Sequence, residues 1–198
     1  MDRFAAFYSV SFSELTPRDH RAVSGARNHF KKAVILRDLA EKLRPQIQID
    51  RQQLQARGYT PAKYSAESAA VIENIFTELY SAIDCTRRVI VATHKMRGVP
   101  DSTRKLFQRI QANLLDDVLP AELVEAFKRA TWERLLSMRG ELTHSDLGPC
   151  HYDDTTGKIS YWHTGLGHGA RPLIIEDIYD RLDSDINDVN QFLGHVFR

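Results

Sequence analysis

Apolar residues recur along most of this chain with the period of an α-helix. Between Ser65 or Ser68 and about Lys95, the residues Val71, Ile72, Ile75, Leu79, Ala82, Ile83, Thr86, Val89 and Ile90 repeat at a spacing near 3.6. That pattern predicts a helix of about 30 residues, about 45 Å long at 1.5 Å per residue. Gly98-Val99-Pro100 closes it. Upstream, Thr16 is a cap and Pro17 a first-turn residue for a helix reaching about Arg44. Ser24-Gly25 is a candidate interruption, and Pro45 is the expected stop. Ile47 to Gly58 reads as a short helix or a connector, and Tyr59-Thr60-Pro61 breaks the chain again. Asp101 or Ser102 caps a further helix to about Asp117, and Pro120 opens another over Ala121 to Ala130. Thr131 to about Ser145 continues that helix or kinks away from it. Pro172 to Arg198 is helical, with Ile175, Ile178, Leu182, Ile186, Val189, Phe192, Leu193 and Val196 on one face.

Two stretches depart from the helical period. Residues 1–15 read as a loose arm whose aromatics, Phe4, Phe7, Tyr8 and Phe12, can pack on the body. Cys150 to Asp153 and Lys158 to His163 are short β-like runs around Asp154-Thr155-Thr156-Gly157, where glycine suits a positive φ. The expected fold is therefore all-α: an antiparallel helical bundle in one domain, residues 1–198, with a β-hairpin insertion at 150–163 before the C-terminal helix.

Composition narrows the function classes. The length of 198 residues suits one domain, and 42% hydrophobic with 27% charged residues is ordinary for a soluble globular protein. A net charge of +1 gives no global field toward nucleic acid or membrane, although a local basic patch remains open. Cys85 and Cys150 make no disulfide framework, and with no signal-peptide pattern a cytoplasmic location is expected. No apolar run approaches the length of a membrane span. Serine-hydrolase and phosphate-loop motifs are missing, and Gly165-x-Gly167-x-Gly169 lacks the strand-to-helix context of a dinucleotide fingerprint.

The most informative chemistry lies at Trp132-Glu133-Arg134-Leu135-Leu136-Ser137-Met138-Arg139-Gly140-Glu141-Leu142-Thr143-His144. At 100° per residue, Trp132, Leu135, Leu136 and Leu142 share one side of the cylinder, and Arg139 points with them. A guanidinium stays charged, so burying it unpaired would cost several kcal/mol. It must meet a carboxylate, a polar cleft, a second subunit or a phosphate. His144 follows five residues later, a rotation of about 140° on an ideal helix, so the two side chains do not share a face. They converge if the helix ends near Thr143, or if a two-fold axis brings in a second copy. The alternative is structural: Arg139 paired with an acid such as Glu78 or Asp84, and His144 as a C-terminal helix cation.

The run Trp132-x-x-Leu135-x-x-x-Arg139-Gly140-Glu141-Leu142-Thr143-His144-Ser145 resembles the defining helix of the HEPN family, the higher eukaryotes and prokaryotes nucleotide-binding domains. Leu79-Tyr80-Ser81-Ala82-Ile83-Asp84 is similar to the family's preceding core helix, so the likeness covers about Ser65 to Ser145. The resemblance implies an all-α bundle and metal-independent cleavage of RNA without a cofactor. Members are commonly homodimers whose Arg and His meet at the interface, and toxins and antiviral defence effectors are frequent. Arg139 and His144 are then the catalytic residues. Thr143, Ser145, Arg87 and Arg88 are substrate-binding candidates, and an antitoxin or regulatory protein is a possible partner. Other members of the family are non-catalytic protein- or nucleotide-binding modules. Gly140 replaces a usual polar residue, and Asp146 stands where some toxins carry a tyrosine that accepts an inactivating nucleotide.

Two clusters have competing readings. His144, Cys150, His151, His163 and His168 crowd into one region, but without a CxxC pair the expectation is no metal site. With Lys158, Tyr161, Trp162 and Arg171 the same histidines form a possible RNA-contacting surface. Arg87, Arg88, Lys95 and Arg97 near the end of the long helix are either a solvated basic face or a phosphate-binding lip.

Overall fold

The computed structural model describes residues 3–96, 102–128, 135, 150–163, 173–175 and 177–198. The chain is mainly helical. Its helices are α1 (Arg3–Ser11), α2 (Pro17–Arg57), α3 (Lys63–Thr93), α4 (Thr103–Gln111), α5 (Ala121–Lys128) and α6 (Ile178–Val196). The strands are β1 (Cys150–Tyr152), β2 (Ile159–His163) and β3 (Leu173–Ile175). Two compact units share the chain, and the division runs through α2, α3 and α6. The first unit takes the described residues up to Lys31, those from Glu78 to Leu135, and those from Ile186 onward. The second takes Lys32 to Thr77 and the described residues from Cys150 to Asp185.

The expected stop at Pro45 does not occur: α2 runs for 41 residues with Pro45 inside it. A proline there removes the N–H that the Glu41 carbonyl would accept, a cost of about 3 kcal/mol in an isolated helix. Tertiary contacts offset it. The buried Tyr179 hydroxyl donates to the neighbouring carbonyl of Ala40 at 3.0 Å. Its ring lies 5.1 Å from the Arg37 guanidinium and 4.8 Å from that of Arg44. Ala33, Ala40 and Ile47, seven residues apart, are all buried on α2, so the helix keeps its inward face on both sides of the proline. Gly58, at φ +68°, ends the helix with its N–H on the Leu54 carbonyl at 2.8 Å.

In the first unit, the expected loose arm is a helix. Phe4 and Phe7 share a face of α1 and pack on Phe197, with ring centroids 4.7 and 5.2 Å apart. Arg3 fixes the start of α1 by donating to the Asn190 side-chain oxygen at 2.7 Å. At the head of α2 the Thr16 cap is as expected. The Asp19 amide donates to Thr16 Oγ1 at 3.3 Å, and the Thr16 amide donates back to Asp19 Oδ2 at 3.1 Å. Ser24-Gly25 interrupts nothing. Gly25 instead permits a close approach of α2 and α3, because a Cβ there would lie 2.8 Å from the Cys85 sulfur. The helix from Ser102 stops at Gln111, short of Asp117. Asn113 takes a left-handed φ of 57°, and the Leu114 amide reaches the Arg109 carbonyl at 3.0 Å, which closes α4. Phe127 meets Phe192 edge-on at 4.7 Å and completes this core.

In the second unit, Asp50 of α2 accepts from the Ser65 amide at 2.7 Å and so caps α3 from another helix. The antiparallel hairpin precedes the last helix as the sequence predicts, and Gly157 has a φ of +68°. Asp153 accepts from the Thr155 amide at 2.8 Å inside the turn. The hairpin gains a third strand, giving the order β1-β2-β3 with Tyr161 opposite Ile175. Leu173–Ile175 was expected to be helical. Its β-branched pair pairs with β2 instead, and α6 begins after Asp177, whose side chain accepts from the Asp180 amide at 3.2 Å.

Gly25→Ala tests the helix contact. Alanine favours a helix by about 1 kcal/mol over glycine, but here it meets the Cys85 sulfur and overpacks, a cost of about 1–3 kcal/mol. Urea denaturation is expected to show a loss of stability in Gly25→Ala and a gain when the same change is made together with Cys85→Ala.

Candidate functional site

Arg139, Thr143, His144 and Ser145 lie outside the described residues. Within the same segment, Leu135 is helical and 1% exposed. An inward position for Leu135 agrees with the stripe to which the sequence assigns Arg139.

The acids considered as partners for Arg139 have other engagements on α3. Glu78 Oε2 lies 2.6 Å from His29 Nδ1, and Asp84 accepts from the Thr103 hydroxyl at the first turn of α4. Arg87 is half-buried on α3. Arg88, one position on, places its Nε 2.8 Å from Asp19 Oδ1. Burial alone would raise the Asp19 carboxyl, but hydrogen bonds from Thr16 and the Arg88 charge outweigh it and hold the group below its ordinary value. Arg88 therefore anchors α3 to the capped start of α2. Of the basic cluster, Lys95 is exposed with a φ of 48°, and Arg97 lies outside the described residues.

Of the hairpin's candidate ligands, Cys150 and His151 face opposite sides of the sheet. Cys150 is 4% exposed, while its neighbour His151 points to solvent on the opposite face. Burial, then the charge of Glu73, pushes the Cys150 thiol up to about 12, so it is protonated at neutral pH and a poor metal ligand. Among the described residues no three histidine, cysteine or acidic side chains are grouped to hold a metal ion. His144 and His168 lie outside those residues. Beneath the sheet, the buried Tyr161 hydroxyl donates to Glu73 Oε1 at 2.6 Å, and Arg51 holds the turn by Asp154 at 2.7 Å. These contacts fasten the hairpin to α2 and α3, and they make Tyr161 a core residue rather than an RNA-stacking one.

One concavity escaped the sequence reading. In the first unit, the ends of α1, α3 and α6 and the start of α5 surround a cavity of about 390 Å³ lined by His94, Glu122, His195 and Arg198, with Glu14 at its edge. Burial lowers the basicity of His94, so its ring is neutral at pH 7. Glu122 pairs with Arg198, and its Oε2 lies 3.6 Å from His195 Nδ1, inside electrostatic range but beyond hydrogen-bonding distance. These positions are scattered along the chain and follow no motif spacing.

Comparison of the chain with family models, curated proteins and solved structures finds no match to any of them.

Arg88→Ala separates anchoring from substrate contact. The loss is expected to be about 1–2 kcal/mol at pH 7, limited by the water that reaches Arg88. Because the Asp19 carboxyl is held low, this stabilisation is present above the unfolded carboxylate pKa of about 3.9 and fades as pH falls through the folded value. Urea denaturation at pH 7 and at about pH 3 should show the gap between wild type and variant narrowing in acid.

Proposed function

We propose that this protein is a metal-independent endoribonuclease of the HEPN type, with Arg139 and His144 as its catalytic pair. The observation that carries the reading is the Arg-x4-His spacing at the end of an amphipathic pattern whose Leu135 is buried, in a mainly helical chain. RNA brings its own nucleophile. His144 would take the proton from a 2′-OH as the oxygen attacks the adjacent phosphorus. The P–O5′ bond breaks, and the 5′ oxygen leaves with a proton from an imidazolium, either the same ring or that of a second copy. Arg139 matches the charge growing on the non-bridging oxygens by bidentate contact. The products are a 2′,3′-cyclic phosphate and a 5′-hydroxyl. Thr143 and Ser145 flank the site as hydroxyl donors, and Arg87 is the remaining basic candidate on α3.

The functional setting of the reading is a toxin or defence effector in the cytoplasm, acting as a homodimer on RNA and restrained by a protein partner. A second reading is a non-catalytic protein- or nucleotide-binding bundle. Gly140 beside Arg139 favours it, because the polar residue usual at that place is missing.

Incubation with total RNA in excess chelator tests the proposal. Wild type is expected to cleave and to leave cyclic phosphate ends. Arg139→Ala and His144→Ala should each lose about 10²-fold or more in rate while keeping the wild-type thermal transition. Full cleavage by His144→Ala would exclude the mechanism, and no cleavage by any of the three proteins would leave the binding reading in its place.

A further inference from the structure

We draw no further inference here: the strongest candidate, the exposed stripe of Ile35, Leu39 and Ile49 along α2 in the second unit, is an unpartnered helix face interrupted by Lys42, and nothing in the structure shows what covers it.

Discussion

The chain turns on a missing hydrogen bond. Pro45 leaves the Glu41 carbonyl without its helical donor, yet α2 runs on to Arg57. Around that defect the second unit places Tyr179, with its hydroxyl on the Ala40 carbonyl and its ring between Arg37 and Arg44. Arg37 also grips Asp183 through Nε and a second nitrogen, at 2.7 and 2.9 Å, so the first turns of α6 are joined to α2 at the same place. The extension beyond Pro45 carries Asp50, which caps α3, and Arg51, which holds the hairpin turn. Had α2 ended at Arg44, both supports would be missing.

The helical period made α3 and α6 legible because each buries one continuous apolar face, such as Ile72, Ile75, Leu79 and Ile83 on α3. On α2 the helix to Arg44 was legible, but its continuation past Pro45 was not, for a physical reason. Between Val23 and Ile47 its buried apolar residues are alanines, Ala26, Ala33 and Ala40, whereas the larger Ile35, Leu39 and Ile49 are exposed, so the stripe is blurred. Its continuity depends on Tyr179, more than a hundred residues away, and no local rule for proline contains that contact. The N-terminal segment was misjudged in the same way: nine residues form a marginal helix alone, and α1 is held by Phe197 and Asn190 at the far end of the chain. Turn chemistry was more reliable. Thr16, Gly58, Ser102 and Gly157 act locally and stand where their residue types suggest.

For the candidate sites the balance is reversed. The Arg139–His144 pair is visible only as spacing and pattern, and its supporting acids and bases on α3 turn out to hold the fold. Arg88 belongs to Asp19, Asp84 to Thr103, and Glu78 to His29. Charged residues on a helix face look alike in sequence whether they await a substrate or a neighbouring helix. The cavity beside His94 and His195 shows the converse. Its lining residues come from the ends of α1, α3 and α6 and the start of α5, and a linear reading has no period or motif with which to see them together.

The union of α2 and α6 through one tyrosine has a consequence for local opening. Amide exchange in the turn around Pro45 and in the first turns of α6 should report a single event, because releasing Tyr179 frees the Ala40 carbonyl beside the proline defect and parts α6 from α2 at the same moment. Two stretches 130-odd positions apart in the sequence would then breathe as one foldon, with the phenol as its latch.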